Sequence, residues 1–477
     1  MSNNSNDEEE IKPFAAIAGT DYEEVEYETE TSRKNIFFWA MYDLANTIYS
    51  MVIVSLIINR YILVIGQLEH GLTYGQASLI YGLVSGVMQV CVAILIPIIG
   101  ALSDTAGKRK PFVISLTGII LLFASLLGFF RDIYLVLIFY IIANVAYQFS
   151  LAFYDAMLPF IAKREDIPKV SGFGVAWGYL GTIIALLVFL PLIFIFGDVV
   201  SIITPENPTL KYGYAGSWIS FVLPMALFFL FTIPFFFVKE KQKKGKMPSP
   251  GKLIKGAFKQ LGSTFRDIRS HKPMFIFIIG YFLVADIANV LVLYMMPMVT
   301  DGLVIGTNGD PDDFFGIIFI IISTFSAVGF TYFVGKFGEK FGGKNTFYLV
   351  GLLWGITLAI GITLIFSFPY INIGLNLPFL FSIIMGLIAG PALGGTWTAQ
   401  RIMVTELAPK EKFGEYFGFS KLSGKLSSAI GPIVFSSILT TADLIGKYSY
   451  GLALLGVAYI MFFGLLIISF VTTKKPE

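Results

Sequence analysis

Two aspartates break into apolar runs of this chain in the same way. Asp43 stands three residues before Asn46, and Asp286 three before Asn289, so each pair shares a helical face. Thr47 and Ser50 continue the first face. Counted from Ile36, Asp43 lies ~10 Å into its run at 1.5 Å per residue, and Asp286 lies nearer the middle of its own. A carboxylate held in hydrocarbon is costly, and it marks an ion or substrate path or else a hydrogen-bonded helix contact. Lys421, Lys425 and Ser428 stand at i, i+4 and i+7, with Lys425 about twelve residues inside its run. Snorkelling suits Lys421 and strains Lys425. The Lys425 ammonium would therefore meet an anionic ligand group or a carboxylate such as Asp286. In the run Gly390-Pro391-Ala392-Leu393-Gly394-Gly395-Thr396-Trp397-Thr398-Ala399-Gln400-Arg401, proline removes a backbone donor. A kink there would leave Trp397 and Gln400 lining a cavity; close packing through Gly390 and Gly394 is the plainer reading. Asn144 and Gln148, again on one face, are weaker candidates of the same kind.

A second cluster lies at the end of a run. Gly100-Ala101-Leu102-Ser103-Asp104-Thr105-Ala106-Gly107-Lys108-Arg109-Lys110 turns sharply between two helices, and its glycines allow close approach and positive φ. Asp104 suits a neighbouring helix N-terminus. Lys108 or Arg109 requires a carboxylate, and Asp155 is the expected partner. The stretch resembles the signature loop of the major facilitator superfamily, G-x-L-x-D-x-x-G-[RK]-[RK]. That resemblance implies a conformational latch made by Gly100, Asp104, Gly107, Lys108, Arg109 and Asp155. A simple polar turn is the alternative.

The elements that must position these residues are membrane helices. Hydrophobic residues make up 56% of the chain and charged residues 14%, where soluble domains carry about 25% charged. Mean hydropathy is +0.76. The spans are expected at 36–65, 76–101, 111–130, 133–161, 171–197, 216–238, 273–300, 314–335, 345–367, 377–404, 413–440 and 447–472. Lys and Arg fall on alternate loops, which places both termini in the cytoplasm of a multi-pass cell-membrane protein. Residues 1–34 hold ten acids and three bases and are expected to be a disordered acidic tail with no signal-peptide character. Residues 239–272 hold eleven Lys or Arg against two acids. Leu253, Ile254, Ala257, Phe258, Leu261, Phe265 and Ile268 recur there at helical spacing, as in a basic amphipathic helix on the inner leaflet. A lone Cys91 permits no internal disulfide. His70 and His271 sit at span edges, so neither a metal site nor a cofactor is expected. Gly338 and Gly343-Lys344-Asn345 only approach a phosphate loop, because Ser or Thr is missing after the lysine and no strand precedes it. Transport driven by nucleotide hydrolysis is therefore not expected, and neither enzymatic activity nor nucleic-acid binding has support.

The chain repeats itself. Asp43-Leu44-Ala45-Asn46 matches Asp286-Ile287-Ala288-Asn289; Gly100, Asp104 and Gly107 match Gly335, Glu339 and Gly342; Glu165, Gly172, Phe173 and Gly178 match Glu411, Gly418, Phe419 and Gly424. The expectation is two six-helix bundles, 35–238 and 273–477, joined by 239–272.

Trp39-Ala40-Met41-Tyr42-Asp43-Leu44-Ala45-Asn46-Thr47-Ile48-Tyr49 resembles the opening of the vacuole effluxer-like (Atg22-like) branch of that superfamily. Leu158 to Ala162, Val170 to Gly174, Gly178 to Gly181, Gly414 to Phe419, Ser423-Gly424-Lys425 and Gly431-Pro432 resemble it too. The resemblance implies an all-α membrane protein of the major facilitator fold with 12 transmembrane helices and a cavity lined by spans 1, 4, 7 and 10. It also implies secondary transport of a small solute, with amino-acid efflux as the activity of its fungal members. The reading is a monomeric, proton-linked transporter of an amino acid or related metabolite. Asp43 or Asp286 carries the proton in this scheme and Lys425 meets the substrate carboxylate. Glycoside–cation symporters share the Asp and Asn of span 1, but place an aspartate before the proline of span 2, where this chain has Ile96. Transport of a lysophospholipid or similar amphiphile, and a non-transporting receptor role, are the remaining alternatives.

Overall fold

In hydrocarbon every backbone N–H and C=O must be satisfied within its own segment, so the apolar runs fold as helices. A computed structural model describes residues 32–105, 109–162, 167–196, 217–240, 250–302, 313–367, 377–409 and 413–472. Residues 1–31 of the expected tail lie outside this set. The first half comprises α1 (Arg33–His70), α2 (Tyr74–Thr105), α3 (Lys110–Leu126), α4 (Ile133–Ala156), α5 (Ile167–Phe196) and α6 (Ser217–Thr232). A helix outside the bundle, α7 (Pro250–Ser270), falls within the basic linker. The second half comprises α8 (Lys272–Pro297), α9 (Asp313–Phe341), α10 (Gly343–Ser367), α11 (Leu377–Leu407), α12 (Phe413–Leu439) and α13 (Tyr448–Ser469). Among the described residues eleven helices are long and apolar enough to cross a membrane, and α5 contains a shorter apolar stretch, Ala176–Phe189.

Each half packs around its first helix or its fourth. In the first, α1 lies against α5 and α6, and α3 against α4; in the second, α8 lies against α12 and α13, and α11 against α9 and α10. The halves meet where α2 packs on α12 and α5 on α9. Small residues permit these approaches, as in other membrane bundles. A Cβ at Gly181 of α5 would meet the Leu44 backbone of α1, 3.0 Å from its Cα, and one at Gly86 of α2 would sit 2.6 Å from the Ile433 side chain of α12.

The sequence repeat reappears in the bonding. The Lys110 ammonium donates to the carbonyls of Phe236 and Val238 after α6. The Lys344 ammonium does the same to Ser469 and Val471 at the end of α13. Each lysine neutralises the carbonyl end of its half's last span. Span 10 departs from the cavity expectation. Pro391 cannot donate to the Leu387 carbonyl, and the Ser326 hydroxyl of α9 donates to it instead. Gly390 and Gly394 pack directly on Ser323, Ala327 and Thr331 of α9. The glycines thus serve close packing, and α11 runs through the proline.

Gly181→Val should lower the thermal midpoint of detergent-purified protein, at a cost of about 1–3 kcal/mol for overpacking. Gly118→Ala on α3, where a new Cβ meets nothing within 4 Å, should raise stability by up to ~1 kcal/mol.

Candidate functional site

The polar residues of the spans gather along the seam between the halves. One face of α4 carries Asn144, Gln148 and Asp155, while α12 presents Lys421, Lys425 and Ser428 toward it. The Lys425 ammonium crosses the seam and donates to Gln148 Oε1 at 2.6 Å. Asp155, exposed to solvent, lies in the electrostatic field of Lys421, Lys425 and Arg401. Arg401 of α11 also acts on Tyr179 of α5 and Tyr281 of α8. Trp397 precedes Arg401 by one turn on the same exposed face. Three helices of the two halves thus direct three cations and a carboxylate into one solvent-reached space.

Asp43 borders this space. It is half-buried, accepts from the Asn46 amide at 3.4 Å, and lies in the field of Asp155. α5 approaches it through glycine: a Cβ at Gly174 would sit 3.1 Å from Asp43 Oδ2, and one at Gly178 would sit 3.2 Å from Thr47 Oγ1. Asp286, its repeat partner, is placed differently. It is buried, and its Oδ1 accepts from the Gly431 N–H at 2.8 Å. A Cβ at Gly431 would lie 2.7 Å from the Asp286 Cγ, so glycine is needed beside Pro432 for this contact. Among the described residues, Asp286 Oδ2 has no hydrogen-bond partner. The Asn289 amide donates to the Gly424 carbonyl at 3.4 Å. Asp286 and Asn289 together hold α8 to the backbone of α12.

Several sequence expectations are corrected. Lys425 pairs with Gln148 and not with Asp286, because Asp286 is turned onto Gly431. Gln400 does not face the space with Trp397; it is buried, and its amide donates to Ser420 Oγ at 2.9 Å, tying α11 to α12. Asn144 is buried beside Tyr140 and Met88, with its Oδ1 unpartnered. The expected Arg109–Asp155 pair does not form. Arg109 is buried over the Phe160 ring, 3.9 Å from its centroid, and its guanidinium meets Glu240 at 3.4 Å. Glu240 also accepts the backbone N–H groups of Arg109 and Lys110 at 2.7–2.9 Å, capping α3. The second half repeats the device: Glu406 of α11 accepts from the Gly343 N–H at 2.7 Å and caps α10, beside Gly342 at φ +84°. Gly107 and Lys108 lie outside the described residues, as do the surroundings of Gly100 and Asp104.

At the end of the bundle away from the termini, the seam is clasped. Arg60 meets Asp301 through two contacts of 2.6 and 2.7 Å. The Tyr74 hydroxyl donates to Asp301 at 2.8 Å and touches the Tyr450 hydroxyl. Asn59 donates to the Leu293 carbonyl, and Thr73 to Asp443 at 2.6 Å. A π-helical stretch of α1, Tyr49–Ile57, leads directly into Asn59 and Arg60. Such stretches recur at functional positions of helices. The sequence reading passed over Arg60, Glu240 and Arg401. The signal available was a charged residue inside an apolar run for Arg60 and Arg401; nothing local marks Glu240.

Two six-helix halves, clasped at one end and open to solvent at a charged seam at the other, define a major facilitator-type secondary transporter. The chain belongs to the vacuole effluxer Atg22-like family, whose match covers residues 31–477. An MFS-type transporter of Bacillus subtilis (strain 168), YxiO, is 25% identical over 436 residues, covering 91% of this chain and 94% of that one. A crystal structure of a variant of the nucleoside transporter NupG superposes with a TM-score of 0.69 at 14% identity, covering 92% of this chain and 99% of that one. A D-xylose–proton symporter structure gives 0.65 at 12% identity, covering 90% and 96%. At these identities the two structures establish the shared fold.

Removing one member of this partly buried ion pair leaves the other charge uncompensated at the seam. Here the halves can part. Arg60→Ala should therefore widen the distance between spin labels placed on the clasped ends of the two halves, and the charge swap Arg60→Asp with Asp301→Arg should restore it.

Proposed function

We propose that this protein transports a small zwitterionic or anionic solute, an amino acid in the leading reading, through the seam by alternating access. The observation that carries the reading is the contact of Lys425 with Gln148 across the seam at 2.6 Å, with Asp155 of the first half and Lys421 and Arg401 of the second exposed in one electrostatic field. Among the described residues, the hydrogen bond of the Lys425 ammonium to the opposite half goes to a neutral amide, Gln148. A substrate carboxylate would replace that amide as its partner, and a substrate ammonium would turn toward Asp155 and Asp43. Binding then bridges the halves, and the bridge differs between the two access states, as coupling requires. Asn46, Asn144, Trp397, Asn289 and Gln400 act in this proposal as lining or supporting residues.

Proton linkage is assigned to Asp43 or Asp286. Asp43 borders the open space, whereas Asp286 has a buried oxygen with no partner among the described residues. An uncompensated carboxylate in such a place is expensive unless a cation joins it. Under the positive-inside reading the open end faces the cytoplasm of a cell-membrane protein with both termini inside, acting as a monomer of two bundles, 35–238 and 273–477. A nucleoside or sugar cargo is the second reading; it is favoured by the substrates named for the two superposing transporters.

Proteoliposomes loaded at one pH and diluted into another, with labelled amino acids outside, test the scheme. Uptake should follow the pH gradient. Lys425→Gln and Asp155→Asn should each reduce it by more than tenfold, since one half of a charge-assisted contact is lost. Uptake indifferent to the gradient and to both Asp43→Asn and Asp286→Asn would sink the proton scheme. Uptake of a nucleoside or xylose in place of amino acids would support the second reading.

A further inference from the structure

The surface helix α7 has two unlike faces. Thr264 and Ile268 are buried against the bundle, and the Tyr416 hydroxyl of α12 donates to Asp267 at 2.9 Å. The other face is exposed and reads Lys255, Phe258, Lys259, Gly262, Phe265, Arg266 and Arg269. These positions follow i, i+3, i+4, i+7, i+10, i+11 and i+14, a single stripe along the helix. No ion pair to its four cations is seen among the described residues. Phe258 is 43% exposed and Phe265 44%, although Phe265 also touches the rings of Phe275 and Phe419. Asp267, the single acid of the helix, is engaged by Tyr416 and not by the stripe.

We propose that this stripe docks α7 onto anionic phospholipid headgroups of the leaflet at its end of the bundle. Three observations fix the occupant. One residue, His271, separates the end of α7 from the start of the membrane helix α8, so α7 lies at the level where spans leave hydrocarbon. Four cations on one stripe call for an anionic surface, each worth roughly fivefold in attraction to such a leaflet. Two phenylalanines between those cations suit the headgroup–acyl boundary, where a helix buries its rings and keeps its charges among phosphates. The docked helix also joins the halves, because α7 packs on α2 of the first and on α8 and α12 of the second. Lipid charge thereby acts on both sides of the seam at its open end.

The test uses the full chain in nanodiscs, with Cys91→Ser and a spin label at Phe258→Cys. In discs of phosphatidylcholine plus phosphatidylglycerol, the label should become accessible to oxygen and shielded from an aqueous nickel chelate. In phosphatidylcholine alone it should stay open to nickel. The quadruple variant K255Q/K259Q/R266Q/R269Q should lose the difference, and so should the fully charged protein at high salt, which needs no altered fold. Nickel access equal in both bilayers overturns the proposal, as does a lipid effect that survives both charge neutralisation and salt. Shielding in both bilayers that disappears when residues 1–31 are removed assigns the stripe to the chain's own acidic segment and overturns it too.

Discussion

The contact between Arg60 and Asp301 is the constraint on which the remaining architecture rests. It joins the first helix of the first half to the stretch Met298–Gly302 that follows the first helix of the second, at the end remote from the termini, and Tyr74 and Tyr450 add hydroxyls from the neighbouring helices. With that end held shut, the two bundles can part only at the other end. Asp155, Lys421 and Arg401 are exposed there as a consequence. A charge cluster of this kind could not face lipid, given what each unpaired charge costs in hydrocarbon. It is tolerable because water reaches it. The clasp at one end and the wet, charged seam at the other are two aspects of one conformation.

The repeat supplies the frame, and departures from it supply the chemistry. Asp43 and Asp286 occupy matched positions in matched helices, yet one borders the open seam and the other is sealed on Gly431. The difference lies in the partner helix. α5 meets α1 through Gly174 and Gly178, which leaves the Asp43 carboxylate at a margin. α12 carries Gly431 beside Pro432, and with no Cβ in the way the Gly431 N–H takes the Asp286 carboxylate inward. Tyr179 and Lys425, another matched pair, likewise put a hydroxyl on one wall and an ammonium on the other. A symmetric scaffold thus presents unlike groups to whatever enters the seam.

Much of this was legible in the sequence. Span number, the two halves and the surface helix followed from hydropathy and self-similarity, because bilayer burial imposes those patterns on every residue of a span. Lys425, Asp43 and Gln148 stood out because polar side chains in apolar runs carry a cost that must be repaid by a partner. Which partner was not legible. Asp155, at the inner end of span 4, is the carboxylate expected for Arg109 from the sequence, but it lies at the seam, and Glu240, beyond the end of α6, reaches the start of α3 instead. Gln400 and Trp397 are three residues apart, only ~60° around the helix axis, yet at the edge of the bundle-facing side that puts one inside the bundle and the other in the opening. Pairings of this sort depend on helix rotation and tilt, which hydropathy does not encode.

The partner of Arg109 alters the meaning of the loop that contains it. A latch must be made in one access state and broken in another. Glu240 and Arg109 both belong to the first half, as Glu406 and Gly343 both belong to the second. In each case a carboxylate caps the N-terminus of the helix after the turn, and a lysine caps the end of the half's last span. These contacts survive a rocking motion, because the motion leaves each half internally unchanged. They stiffen the two bodies that move. The contacts that must be exchanged are those crossing the seam: Arg60 with Asp301, Thr73 with Asp443, Lys425 with Gln148, and the packing of α7 on α2 and α12. Rigid halves make that exchange cooperative, so that a substrate reaching Lys425 at the open end can bear on a clasp at the opposite end of the bundle.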